Sequence, residues 1–232
     1  MSQLIDNLNT IESIKTDIKT AIENKGVDMT GVSFPGYASK IGEISGGGTI
    51  GWDQKSVTEG TIEIINLDNS ASFVESSAFM NDKKIQTVNL PYATIVRNYA
   101  FRSCVSLTQV SLPVCSRIGD NTFRSCVSLT QISLPMCSYI GNNAFSQCFV
   151  LTQANLPMCS NIGDNAFRNC ISLSIITIGY SSVCSLKTSS TFYRTPIASG
   201  TGSIYVPTSL VDAYKSATNW SYFSTQIFPI PE

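Results

Sequence analysis

The stretches LTQVSLPVCSRIGDNTFRSCVS (residues 107–128), LTQISLPMCSYIGNNAFSQCFV (residues 129–150) and LTQANLPMCSNIGDNAFRNCIS (residues 151–172) are successive copies of one 22-residue unit. The step continues outward from them. Leu90-Pro91, Leu112-Pro113, Leu134-Pro135 and Leu156-Pro157 keep it, as do Phe79, Phe101, Phe123, Phe145 and Phe167. Ile85, Leu107, Leu129, Leu151 and Leu173 form a third such series. Ile178-Gly179 holds the register once more; Cys184 and Phe192 then fall three residues late, so an insertion enters the last coil. A fixed period of this length predicts a solenoid, because one such unit cannot cover its own apolar side and must stack on its neighbours.

Inside a unit, Val110 and Leu112 alternate with Gln109 and Ser111, the period-two pattern of a half-buried strand. Ile118-Gly119-Asp120-Asn121 predicts a turn, with Asp120 capping a short helical turn and Phe123 pointing back inward. The first nine residues fit the leucine-rich pattern L-x-x-L-x-L-x-x-N/C. Stacking about six units at ~4.8 Å per strand predicts a rod roughly 30 Å long.

The strings SLTQVSLP, IGDNTFRSC and IGDNAFRNC resemble the BspA-like leucine-rich repeat family, with its A-F-x-x-C-x-x-L core. The resemblance covers residues 61–206, and the tail IYVPTSLVDAYKSATNWSYFSTQIFPI resembles the segment that closes such arrays. The expected fold class is α+β: a leucine-rich repeat solenoid with parallel strands on one face and an N-terminal helical oligomerisation module. Residues 1–45 form that module, 46–60 a Gly-rich linker and entry segment, 61–206 the solenoid and 207–232 a helix-and-strand cap.

Composition removes several function classes. Charged residues are 13 % of the chain and the net charge is −1, which leaves no concentrated basic face for nucleic acid or anionic membrane. No apolar run approaches the ~18 residues of a membrane span. The chain has no histidine, so Ser–His and Cys–His catalysis and His-ligated zinc are excluded. Paired carboxylates and a Gly-rich phosphate loop are also missing, so no enzyme activity and no cofactor are expected. The start, MSQLIDNLNTIESIKTD, lacks the basic and continuously apolar run of a secretory signal; synthesis in the cytoplasm, with reduced thiols, is the expectation.

Several columns suggest chemistry and have plainer structural explanations. Cys104, Cys126, Cys148 and Cys170 form one column, Cys115, Cys137 and Cys159 another. No C-x₂₋₄-C pair converges on a metal, and in-register side chains run parallel instead of facing each other, so buried core thiols are expected. The Phe series reads as the core spine. Asp120, Asn142 and Asp164 put one carboxylate on a rung and break it with an amide, a poor calcium cage. Arg102, Arg124 and Arg168, with Ser146 between, are too sparse for an anion site.

The candidate ligand-binding residues lie on the strands. Gln109, Gln131 and Gln153 repeat outward beside Ser111, Ser133 and Asn155; Thr87 and Asn89 precede them, and Ile175 and Thr177 follow. This uncharged amide and hydroxyl lattice suits glycans or polar protein epitopes. The competing explanation is that Gln and Thr only keep a sheet face soluble, and Gln ladders also stabilise stacked strands.

At the amino end, Leu4, Leu8, Ile11, Ile14, Ile18 and Ile22 share one face of a predicted helix over 4–24 that Lys25-Gly26 ends. An Ile-rich seam at this spacing favours three strands, so a homotrimer is expected. Phe34, Tyr37, Ile41 and Ile44 predict a second short helix before Ser45-Gly46-Gly47-Gly48. The string IKTDIKTAIENKGVDMTGVSFPGYASKIGEIS resembles an N-terminal segment carried by bacteriophage structural proteins, matched at Ile18, Ala21, Ile22, Lys25, Gly26, Val27, Phe34, Tyr37, Ala38, Lys40 and Ile41. That resemblance implies a virion protein that attaches to other virion proteins through residues 1–45 and presents its repeats to a host-surface glycan or protein. A bacterial surface adhesin and a purely structural virion decoration are the alternatives. At the other end, Pro207 is expected to start a helix capped by Thr208 or Ser209, with Leu210, Val211, Tyr214 and Ala217 on one face and Trp220, Tyr222 and Phe223 following.

Overall fold

The computed structural model describes residues 64–66, as backbone, and residues 73–231. The expected N-terminal helices, including the stripe from Leu4 to Ile22 and the phage-like segment, lie outside the described residues. Chain order gives β1 (Ile64–Asn66), β2 (Phe73–Val74), β3 (Thr87–Asn89), β4 (Ile95–Val96), β5 (Gln109–Ser111), β6 (Arg117–Ile118) and β7 (Gln131–Ser133). It continues with β8 (Tyr139–Ile140), β9 (Gln153–Leu156), β10 (Asn161–Ile162), β11 (Ile175–Ile178), β12 (Ser185–Leu186), β13 (Ser203–Val206) and β14 (Ile227–Pro229).

Every strand pair is parallel, and the 22-residue step sets the register, as in Thr87↔Gln109 and Gln131↔Gln153. The chain is the repeat solenoid that the period predicts. Strands, however, occupy two sides of it. Besides the front ladder of the odd-numbered strands and β14, the strands β2, β4, β6, β8, β10 and β12 form a second, six-stranded ladder. The sequence pattern places Ile118 in a turn. In the structure Arg117 faces out and Ile118 in, a two-residue strand too short for periodicity to show. The front ladder itself is divided: β1, β3 and β5 form one sheet, β7, β9, β11, β13 and β14 another.

The core is a set of columns. Phe79, Phe101, Phe123, Phe145, Phe167 and Phe192 stack with ring centroids 5.1–5.9 Å apart and planes within 9° of parallel. This near-parallel stack is imposed by the coil repeat. Leu107, Leu129, Leu151 and Leu173 are buried beside it. Phe192 joins the stack despite the insertion, whose extra residues show in the step from Asn161 to Ser185.

The turn residues have a different task from the one expected of Asp120. It caps no helix; its Oδ1 accepts the backbone N–H of Asn142 on the next coil at 2.8 Å. Asn98 does the same for Asp120, and Asn142 for Asp164, at 2.8 and 2.9 Å. Amide and carboxylate alternate, so carboxylates stand two rungs apart. Lys187 meets Asp164 Oδ2 at 3.2 Å, while Asp164 Oδ1 has no partner, the coil beyond it being the one with the insertion. Asn121, Asn143 and Asn165 follow in the left-handed region at φ of 54–55°, which asparagine tolerates. Asn142→Ala should remove an acceptor and lower stability by about 1–2 kcal/mol, seen as a lower urea midpoint. Asn142→Asp keeps the acceptor but puts carboxylates on three successive rungs, so its deficit should grow between pH 4 and pH 8. An unchanged midpoint in both variants would contradict the ladder.

Just before each of these turns, Gly119, Gly141 and Gly163 let one coil lie directly on the previous one. A Cβ on Gly141 would stand 2.5 Å from the Gly119 carbonyl carbon and 2.7 Å from the Asp120 nitrogen.

The C-terminal segment pairs β14 with β13 and buries its large side chains against the last coil. Trp220 and Phe223 pack on Phe192, at centroid distances of 6.0 and 5.3 Å, while Tyr222 faces out. Trp220 Nε1–H donates to the Cys184 carbonyl at 2.6 Å, and the Cys184 N–H donates to Tyr214 Oη at 2.8 Å. The α-helix (α1, Val211–Ser216) starts later than expected. Thr208–Leu210 is a 3₁₀ turn in which the Leu210 N–H bonds the Pro207 carbonyl. Neither Thr208 nor Ser209 caps it by a side-chain hydrogen bond, so that expectation fails.

Candidate ligand-binding face

Strands β3, β5, β7 and β9 place Thr87, Gln109, Gln131 and Gln153 in one row and Asn89, Ser111, Ser133 and Asn155 in another. Alternation does this: Val88, Ile132 and Ala154 turn into the core, and their neighbours turn out. Gln109, Ser111, Gln131, Ser133, Gln153 and Asn89 are exposed; Thr87 and Asn155 are half-buried. Asn155 Nδ2 donates to Ser133 Oγ at 3.4 Å. Ile175 and Thr177 are half-buried on the next strand.

Seven of the eight residues line an open depression of about 430 Å³, together with Val88, Thr108, Val110 and Ile132. Asn89 is on the face but not in the depression. Sequence reading missed Thr108 and the three apolar residues, because the pattern assigns the latter to the core and says nothing of the ladder's continuity. Val110 is the informative one. It is only half-buried, whereas its counterparts Val88, Ile132, Ala154 and Ile176 are at most 2 % exposed. It lies where the front ladder is divided, between β5 and β7. No ionisable side chain lines the depression, so its hydrogen-bonding groups are amides, hydroxyls and backbone.

An apolar column also went unread. Tyr92, Val114, Met136 and Met158, at the 22-residue step just beyond the strand ends, are 41–54 % exposed. The Leu-Pro series had the signal, since each of these residues follows its proline.

The other columns are occupied by the protein itself. Cys104, Cys126, Cys148 and Cys170 Sγ atoms each donate to a phenylalanine carbonyl of a neighbouring coil at 3.0–3.2 Å. Cys115 and Cys137 donate to Arg117 and Tyr139 carbonyls, and all eight thiols are free and buried. Arg124 and Arg168 donate to Asn121 and Asn165 three residues earlier, and Arg102 lies over Tyr99. Among the described residues no group of three or more Cys, Asp or Glu could hold a metal, and no helix is long and apolar enough to cross a membrane.

Burial sets the thiol chemistry. Desolvation pushes Cys104 and Cys137 up to about 12 and Cys115 to about 11, from an ordinary 9.0. Burial also raises Cys126 and Cys148, while the hydrogen bond with Cys159 is the main cause that holds the proton on Cys184. These groups bind protons more tightly folded than unfolded. Their contribution to stability is present below about pH 9 and lost as pH rises through 11–12. Because all eight thiols are buried, native protein at pH 8 should resist a thiol reagent that titrates all eight cysteines in denaturant. The urea midpoint should fall from pH 9 to pH 11. Rapid native labelling, or a flat profile, would contradict this.

Residues 55–174 and 94–221 match the BspA type leucine-rich repeat region, in six copies. No curated protein matches the chain. Among solved structures, the chain is similar to the pneumococcal vaccine antigen PcpA, at 17 % identity and a TM-score of 0.61 over 75 % of this chain and 43 % of that one. It is similar to the leucine-rich repeat protein of T. pallidum at 32 % identity and a TM-score of 0.44, over 45 % and 51 % of the two chains. A Bacteroides ovatus leucine-rich repeat protein gives 20 % identity and 0.47, over 62 % and 39 %. The chain thus spans about half, or less, of each of these structures. The likeness to PcpA is one of fold.

Proposed function

The chain belongs to the BspA-type leucine-rich repeat family, and from that premise we propose that it is a non-enzymatic, adhesin-type fibre protein of a bacteriophage virion. Residues 1–45 attach it to other virion proteins and trimerise it. The solenoid projects and binds a host-surface glycan or protein. The observation that carries the binding role is the depression in the strand face, lined by Gln109, Gln131 and Gln153 at one step and by hydroxyls beside them. Having no ionisable group, it offers many directional hydrogen bonds and no general acid or base. The phage assignment is supported by the sequence of residues 14–45 alone. The family match favours a second reading, a bacterial surface adhesin, which would use the same face.

Three linked copies turn weak contacts into stable attachment. Light scattering on the full chain should give three times the 25.1 kDa chain mass. Ile11→Asp with Ile14→Asp should return the single-chain mass and weaken host-cell binding by about 100-fold or more. A monomeric wild type would sink the trimeric foot, and cell binding indifferent to Gln109→Ala with Gln131→Ala would sink the binding face.

A further inference from the structure

The division between β5 and β7 is local. On one side of it the Leu90 N–H donates to the Ser111 carbonyl at 3.0 Å, and on the other Leu134 donates to Asn155 at 2.9 Å. Leu112 makes no such bond to Ser133. Likewise Thr108 reaches the Gln86 carbonyl, and Thr152 the Thr130 carbonyl, through both N–H and Oγ, while Thr130 does not reach Thr108. Behind the gap the second ladder pairs β6 with β8 without interruption, and Phe123 still bonds Ala144. The coils therefore part at the strand face only. The parting exposes Val110 and leaves main-chain donors and acceptors of two strands facing a slit, groups that need a partner.

The slit's chemistry restricts what can be that partner. Nothing as thick as a peptide strand enters the slit, because Cα atoms of β5 and β7 approach within 8 Å whereas an inserted strand needs about 9.6 Å; a partner must lie over its mouth and reach in with its own donors and acceptors. An anion or cation has no countercharge, since no Lys, Arg, Asp or Glu lines the depression. A wholly apolar ligand would strand the amides. What remains has hydroxyls that both donate and accept, and a C–H face to lie on Val110 and Ile132. We propose that the slit between β5 and β7 is a subsite for one neutral sugar ring, its hydroxyls bonded by Gln109, Gln131 and the unpaired backbone. This rests on the strand face being the binding surface, and it names the ligand class.

The test is saturation-transfer NMR on the full-length protein with methyl glycosides of glucose, galactose, mannose and rhamnose, beside the anionic methyl glycoside of N-acetylneuraminic acid. At least one neutral glycoside should receive saturation, strongest at its ring C–H protons. Gln131→Trp, which roofs the slit from an exposed position, should weaken that affinity at least tenfold. Ile171→Trp, at an exposed position that belongs to neither the strand face nor the depression, should leave it unchanged. If Gln131→Trp loses its native circular dichroism, Gln109→Ala with Gln131→Ala replaces it. No signal from any neutral sugar, a signal from the anionic one alone, or equal binding by the slit variants overturns the proposal. Host-cell binding by the same proteins separates the two readings. Cell binding lost in the slit variants without any sugar signal overturns the sugar and keeps the adhesin. Wild-type protein that binds neither cells nor sugars overturns both.

Discussion

Phe145→Ala should cost about 3–5 kcal/mol, the range for a large buried aromatic truncated where its surroundings cannot collapse. Collapse is blocked here because Phe123 and Phe167 are held 5.4 Å away on each side by coils whose spacing the backbone ladders fix. The loss should also have a shape. Stability in a repeat array is close to a sum of units and nearest-neighbour interfaces, so a defect in the middle weakens the coupling of its two halves. Guanidinium unfolding followed by circular dichroism should show a lower midpoint and a broader transition, with a separate first step the expected extreme. Phe79→Ala, near the array's amino end, should lower the midpoint less and keep one transition. Equal effects at both positions would mean that the stack is not a coupled column.

Gly141→Ala is the smaller chemical change and should be nearly as damaging. The added carbon meets main-chain atoms of Gly119 and Asp120 at 2.5–2.7 Å, and neither can rotate away as a side chain would. Overpacking of cores costs about 1–3 kcal/mol, and contact with fixed backbone puts this case at or above the upper end. The positive-φ argument plays no part: Gly141 is needed for its missing Cβ. Gly200→Ala is the informative contrast, since Gly200 sits at φ +85° and a Cβ there would meet only the Gln226 side chain, at an ordinary 3.7 Å. Its cost, from backbone conformation alone, should be about 1 kcal/mol. A Gly141→Ala protein with the wild-type urea midpoint would refute the close approach of coils.

The two largest effects fall on columns that a reader of the sequence can find, because a strict period turns one-dimensional spacing into contact. Phe, Leu and Cys at the 22-residue step had to stack, and Gln, Ser and Asn at alternate strand positions had to face out. Roles within the step were less legible. Asp120 in IGDN has the look of a helix cap, and only the next coil's N–H, 22 residues away, shows it to be a rung-to-rung acceptor. The second ladder escaped notice because two residues are too few to show a period. The division between β5 and β7 escaped for a deeper reason. LTQVSL and LTQISL differ by one methylene, so nothing in the local pattern separates a paired interface from an open one.

The alternation of Asn98, Asp120, Asn142 and Asp164 bears on how such a gene can lengthen. Tandem duplication of a single unit copies its own turn residue beside itself. When the copied unit carries aspartate, two carboxylates come to rest one rung apart, about 4.8 Å, and repel. Duplication of two adjacent units, 44 residues at a time, restores the amide between them and joins without penalty. A single unit that carries asparagine, copied beside itself, joins equally well, so the turn ladder decides which unit can be copied alone.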